Sequence, residues 1–328
     1  NQGVTIILIT HKLREIMSIT DHVSVMRAGK MVAHRETSKT NPEELAELMI
    51  GRKVLLNIKK EKAKTGKPLL IAKNLEIFNE QGLKRVSEIS FEVHSGEILG
   101  IAGVTGNGQG TLLKALAGIL PLSKGSIEIM GETISSESPL NPEQLRNLGL
   151  AHVPEDRQKM GMIADFSASE TGLLGYHNDK EINQGVWLKK SSVKANCESL
   201  MKAFDVRPNN PDLKSSNFSG GNQQKLILAR EFERNPEVLI IGQPTRGVDI
   251  GAIEFIRKRI IKMRDAGKAI ILISVELEEI MSLSDRIIVM CDGEITGTVN
   301  GAEADESMLG MMMANALNSH DESKGIKA

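Results

Sequence analysis

Cysteine is almost absent from this 328-residue chain, Cys197 and Cys291 being the only two. Two thiols so far apart make neither a metal cluster nor a disulfide framework, which fits a reducing compartment. No apolar run approaches the roughly 18 residues that a membrane-crossing helix needs. The longest, such as Val238–Ile241 and Ala269–Ile273, read as short buried parallel strands. Aromatics make up 3% of the chain, and the lone Trp187 and Tyr176 carry no functional signal. Neither sign of charge is in excess: 41 Lys and Arg stand against 42 Asp and Glu, a formal net charge of −1. Bulk electrostatics therefore give no reason to expect a nucleic-acid partner. A signal peptide is missing too. The chain starts at Asn1 and runs at once into an apolar segment expected to be a strand, so a fragment whose beginning is missing is expected.

What is present is an ordinary globular composition, 40% hydrophobic and 25% charged. An internal repeat gives it organisation. Residues 3–30 and 267–294 align without gaps at an offset of 264, with 14 of 28 positions identical. Ile6-Ile7-Leu8-Ile9 matches Ile270-Ile271-Leu272-Ile273, and Glu15-Ile16-Met17-Ser18 matches Glu279-Ile280-Met281-Ser282. A period this long is a domain rather than a solenoid unit. Residues 1–52 are then expected to be the C-terminal end of one domain and 68–315 a complete second copy. Residues 53–67, lysine-rich and closing on Gly66, read as a solvated linker, and 316–328 as a disordered tail. Strand-like segments at Leu69–Ala72, Ile89–Val93 and Ile98–Ala102, with helical patterns at 190–205 and 222–235, indicate an α/β domain with a mostly parallel sheet.

The apolar run Ile98–Ala102 leads into Gly103-Val104-Thr105-Gly106-Asn107-Gly108-Gln109-Gly110-Thr111 and then a helical stretch. Strand, glycine-rich turn and helix in that order cradle phosphate: the glycines let backbone amides converge, and the helix start adds partial positive charge. The phosphate-loop pattern GxxxxGK[ST] has its two glycines at Gly103 and Gly108, but Gln109 replaces Lys and Gly110 replaces Ser or Thr. The charge for the β/γ-phosphates and the hydroxyl for Mg²⁺ are both gone. Lys114, one helical turn on, is expected to point away, and Thr111 is one position late for the metal.

Three further segments belong with this loop. Ser219-Gly220-Gly221-Asn222-Gln223 opens a helix and forms a second anion nest. The buried strand Val238–Ile241 ends in Gly242-Gln243, where a hydrolytic site carries an Asp for metal and a Glu for water; Asp249 follows shortly. The repeated strand ends in His11 in the first copy and in Val275 in the second; a histidine there can contact a γ-phosphate and a valine cannot. His22, His34, His94, His152, His177 and His320 have no motif company and read as structural or surface residues.

Together these motifs resemble ATP-binding-cassette proteins. GNGQ, Val153–Arg157 (VPEDR), SGGNQQK and Gln243–Ile256 look like the second cassette of fused ATPase subunits of simple-sugar and nucleoside importers, the nucleoside branch being the closer match. The resemblance, from His11 to about Ala314, implies a P-loop NTPase cassette: a RecA-like α/β core, an antiparallel β subdomain and a helical subdomain. Gly103–Thr111 takes the place of the Walker A loop, Gly242-Gln243 of the Walker B acids, Glu155 of the Q-loop glutamine, Ser219–Gln223 of the signature loop, Asp249 of the D-loop and Val275 of the switch histidine. Phe78 is a candidate adenine-stacking residue, with a core role the alternative.

In such proteins two cassettes pair head to tail. The resemblance therefore implies that Ser219–Gln223 closes over ATP and Mg²⁺ held by the first cassette of the same chain, with His11 on the same γ-phosphate. The site on Gly103–Thr111, with no metal ligand of its own, holds nucleotide weakly or hydrolyses it slowly. Implied partners are transmembrane permease subunits and, through them, an extracytoplasmic solute-binding lipoprotein, at the cytoplasmic face of the plasma membrane. The alternatives are a non-catalytic regulatory cassette and a soluble tandem-cassette protein acting on ribosomes or nucleic acid. The short linker, neutral charge and stripped site count against the latter, and the intact signature loop against the former.

Overall fold

A computed structural model describes residues 3–53, 58, 60–180, 182–184 and 187–314. In the first part, helix α1 (Leu13–Ile19), the hairpin β1 (His22–Arg27) and β2 (Lys30–Glu36), and helix α2 (Pro42–Ile50) form a small unit. The second part begins with β3 (Pro68–Phe78), β4 (Lys84–His94) and β5 (Ile98–Ala102). Then come α3 (Gln109–Leu116), β6 (Lys124–Ile129), β7 (Glu132–Ser135), α4 (Pro142–Asn147) and β8 (Leu150–Val153). The helical region holds α5 (Ala168–Leu173), the short pair β9 (Asn183–Gln184) and β10 (Trp187–Leu188), α6 (Lys190–Ala203) and α7 (Gly220–Phe232). The chain closes with β11 (Val238–Gly242), α8 (Ile250–Asp265), β12 (Ala269–Ile273), α9 (Leu277–Leu283), β13 (Arg286–Cys291), β14 (Glu294–Asn300) and α10 (Glu306–Met313).

The expected three-part α/β architecture is present. A six-stranded sheet runs β14-β13-β5-β12-β11-β8, parallel except for the antiparallel edge strand β14. A four-stranded antiparallel sheet runs β4-β3-β6-β7, and α5, α6 and α7 pack together as a helical subdomain. β5, β11 and β12 are buried along their whole length, as strands covered on both faces must be. Each fully buried Ile or Leu in them contributes about 2 kcal/mol of transfer free energy. One core lies between the parallel sheet and the helices that include α7 and α8; a second lies between that sheet, α3 and the antiparallel sheet.

The repeat extends to the elements themselves. Shifting α1, β1 and β2 by 264 residues gives α9, β13 and β14 with the same bounds, and both hairpins shift register at the same place, Val25/Met26 and Val289/Met290. One expected element differs. Residues 4–9 form no strand, and Ile6, Ile7 and Ile9 are 82%, 86% and 95% exposed. Their counterpart β12 is hydrogen-bonded to β5 on one side and β11 on the other. No strand lies beside residues 4–9 among the described residues, and a strand without neighbours has no ladder to form.

The linker also departs from a purely solvated segment. The Lys60 ammonium is largely buried; it donates to the carbonyls of Leu283 (2.8 Å) and Ser284 and to the Asp285 carboxylate at 3.1 Å. Burial holds its pKa below the usual lysine value despite that carboxylate. Asp285 also takes the buried Arg264 guanidinium (2.8 Å) and the Ile98 amide (2.9 Å), so one carboxylate ties the linker to the start of β5. The tail expected at 316–328 lies outside the described residues.

Candidate functional site

β5, centred in the parallel sheet, delivers its C-terminal end to a turn that only glycine can make. Gly106 and Gly108 have φ of +101° and +104°, and a Cβ on Gly108 would lie 2.2 Å from the Arg85 carbonyl oxygen. Gly108 caps α3, so the free amides of the helix start face the turn. The result is a cavity of about 510 Å³, lined among others by Gly103, Gly106, Gly108, Gln109, Gly110, Thr111, Glu155, Gln243 and Val275. Asn107 completes the turn through its backbone, donating to Val104 (3.1 Å) and accepting from Gly293 (3.2 Å).

The residues at which the loop and strand end depart from the expected pattern are packed against one another. Gln109 is buried and folds back over Gly103, where a Cβ would meet its Nε2 at 1.8 Å. The Glu155 carboxylate lies against Gly110 and its stem against Gly242: a Cβ on either would come within 2.5 Å of the Glu155 side chain. A Ser or Thr at 110, or an Asp at 242, therefore collides with Glu155 where it now lies, so the three departures form one repacked unit. Gln243, held at φ +50°, accepts a hydrogen bond from the Val275 amide at 3.4 Å, which joins the stripped strand end to the stripped histidine position.

Burial pushes the Glu155 carboxyl above its usual range, opposed by Arg246 and Lys114. These two cations line the cavity with Arg85, and none of the three belonged to the expected set. Lys114 in particular does not point away: it faces the cavity and pairs with Glu80 at 3.0 Å. A lysine five residues into a helix that starts at the turn was a readable signal. Phe78 ends β3 at 38% exposure, and the cavity wall there is formed by the following residues, Asn79, Glu80 and Gln81.

Magnesium does not fit this lining. Gly110 and Gly242 bring no side-chain oxygen to the two ligand positions, and the volume beside both is filled by Glu155. No group of three His, Cys, Asp or Glu among the described residues could hold a metal ion. Anionic phosphate, by contrast, meets free amides and three cations.

The remaining expected residues form a second cluster. Ser219 is exposed and caps α7, accepting from the Asn222 backbone (3.4 Å) and side-chain amide (3.0 Å). Asn222 Oδ1 in turn accepts from the Arg207 amide at 2.9 Å. Gly221 packs beside Asp249, which caps α8 by accepting from Ala252 at 2.8 Å. Arg157 binds the cluster together, reaching Gln223 Oε1 (3.4 Å) and the Arg246 carbonyl (2.7 Å) and filling the space beside Gly220. Thus Ser219, Gly220, Gly221, Asn222, Gln223 and Asp249 form one cluster apart from the cavity lining, with Ser219 exposed and Gly221 and Gln223 buried. His11 belongs to neither group and is exposed just before α1. Its repeat counterpart Val275 does line the cavity.

Residues 86–246 match the family described as ABC transporter. The chain is 43% identical over 315 residues to the guanosine import ATP-binding protein NupO of Bacillus subtilis, covering 96% of this chain and 61% of that protein. It is 39% identical over 315 residues to the glucose import ATP-binding protein TsgD13 of Haloferax volcanii, covering 95% of this chain and 57% of that one. The chain thus spans about 60% of the length of these relatives. A nucleotide-free ATP-binding cassette from an ABC transporter superposes with a TM-score of 0.60 at 21% identity, covering 76% of this chain and 96% of the other. Residues 86–246 are thus similar to the ABC transporter family, and the chain has the fold of a solved ATP-binding cassette.

Proposed function

We propose that this chain is the second-cassette portion of the ATP-binding subunit of a nucleoside importer, and that its role is to complete an ATP site held by a preceding cassette. The observation that carries this reading is the contrast between its two clusters. The cavity on Gly103–Thr111 has no lysine at position 109, no side-chain oxygen at 110 or 242 and no general base at 243, while Ser219 stands exposed at the capped start of α7. A nest of free amides and a hydroxyl at the start of a 13-residue helix serves a phosphate brought by another surface. The repeat and the greater length of the relatives support a preceding first cassette.

In that arrangement ATP and Mg²⁺ are held by the first cassette. Ser219 and the amides of Gly220 and Gly221 donate to the γ-phosphate, His11 contributes a second donor, and Asp249 holds the start of α8 beside the nest. The cavity on Gly103–Thr111 takes nucleotide weakly through its amides, Arg85, Lys114 and Arg246, and activates no water, since Gln243 accepts no proton. Membrane attachment runs through permease subunits, with a solute-binding lipoprotein beyond them; among the described residues no helix is long and apolar enough to cross a membrane. Nucleoside rather than sugar rests on the higher identity to the guanosine relative, 43% against 39%.

The test is ATP hydrolysis by the complete subunit in complex with its permeases. Ser219→Arg should lower the rate at least about a hundredfold, the scale of a lost transition-state donor. Gln109→Ala should leave it within about threefold. Equal sensitivity to both substitutions would contradict the assignment.

A further inference from the structure

Two surfaces that are copies of one another meet within this chain. α1 and α9 are equivalent helices of the repeat, and the residues before them, Lys12 and Glu276, have nearly the same backbone, φ/ψ of −82°/102° and −84°/102°. Lys12 Nζ lies 3.6 Å from Glu276 Oε1, so a residue of one copy contacts its own counterpart in the other. Arg14 Nε likewise lies 3.4 Å from Oε2 of its counterpart, Glu278. Contacts between equivalent residues are the signature of a two-fold, isologous arrangement.

In such an arrangement identical copies would place like charges on one another. Here both meeting positions have reversed sign: Lys12 against Glu276 and Arg14 against Glu278. Half of the 28 aligned positions are identical, and the other clear reversal, Lys30 against Glu294, lies at the hairpins. The surrounding charges reinforce the polarity. Lys12 also approaches Glu15 (3.6 Å), Arg14 pairs with Glu306 (2.6 Å), and Arg257 faces Glu278 at 3.7 Å.

We propose that this reversal makes the pairing of the two copies obligatorily heterotypic: the α1 face docks on the α9 face, and neither docks on another copy of itself. Like-with-like pairing would set Lys12 on Lys12, or Glu276 on Glu276, at the axis. The pairs are exposed (55% and 60% for Lys12 and Glu276), so each adds little affinity, but the sign change separates attraction from repulsion. A small energy is thus placed where only the wrong pairing loses it. The proposal rests on reading the chain as parts of two cassettes, and it adds what decides which cassette face meets which.

The experiment is a charge-exchange cycle in this 328-residue chain, read by hydrogen exchange of the Leu13–Ile19 amides. Lys12→Glu and Glu276→Lys each create a like-signed pair and should speed exchange about three- to tenfold. The combined variant restores opposite signs and should return exchange to within about twofold of the wild type. Exchange in β12 and β13 should stay unchanged throughout, which separates undocking from unfolding. A zero-length carbodiimide cross-link between Lys12 and Glu276 should form in the wild type and in the double exchange, and in neither single variant. Unchanged exchange in the single variants, or additive losses in the double variant, would overturn the proposal. Either result leaves the Ser219 assignment untouched, and failure of the Ser219→Arg test would leave this cycle readable.

Discussion

Glu155 links the sequence changes at the phosphate loop into one structural event. Its side chain occupies the space that Gly110 and Gly242 leave open, and burial keeps its carboxyl above the usual range. A raised carboxyl pKa means the folded protein disfavours the ionised form. Its cost is therefore felt at neutral pH and relieved as pH falls through the shifted value. Glu155→Gln should stabilise the chain at pH 7 and show no advantage in acid, by denaturant titration at both. The same carboxylate repels phosphate. The variant should bind ATP more tightly at pH 8, on the order of tenfold for one removed like charge. The ratio of the two affinities should approach one under acid conditions. A ratio independent of pH would show that Glu155 does not face the nucleotide.

Among the elements, the strand–turn–helix order at residues 98–116, the capped start of α7 and the buried strands β11 and β12 were legible in the sequence. Glycine spacing, a serine cap and short all-apolar runs are local signals. Of the cavity cations only Lys114 could be read from its place in the helix after the turn; Arg85 comes from a different sheet and Arg246 from the loop after β11. The failed strand at residues 4–9 teaches the complementary lesson, since apolar pattern specifies a strand only where neighbouring strands supply hydrogen bonds. Lys60 could not be read as buried from a lysine-rich linker, because its partners lie more than 220 residues away.

β8 carries a separate pH response. His152, with its Nε2 buried and unpartnered, has its pKa pushed down to about 4 by burial, so it stays neutral in the folded protein while the unfolded chain takes up a proton near pH 6.5. Stability should fall between pH 6.5 and 4, by about 1–2 kcal/mol from pH 7 to 5. His152→Leu should flatten that slope in denaturant midpoints measured at the two pH values.

At the scale of the whole molecule, the elements α1, β1 and β2 repeat α9, β13 and β14 at an offset of 264 residues. The copies meet through residues of opposite sign. The proposed division of labour rests on this asymmetry: Ser219 stands exposed at the start of α7, and the turn at Gly103–Thr111 keeps the shape of a phosphate loop without its lysine. Neither cluster alone has what hydrolysis requires, which is why the proposed function belongs to the complete subunit. The same logic predicts that restoring Lys at 109 alone recovers no hydrolysis at the second site, because Glu155, Gly242, Gln243 and Val275 would remain.

The most direct test is a single-turnover count on the complete subunit with its permeases, saturated with ATP and Mg²⁺ and quenched during the first cycle. One ADP per subunit, with a second ATP recovered intact or readily washed away, is the predicted result. Two ADP per subunit, formed at the same rate, would show that the cavity on Gly103–Thr111 hydrolyses ATP and would contradict the account.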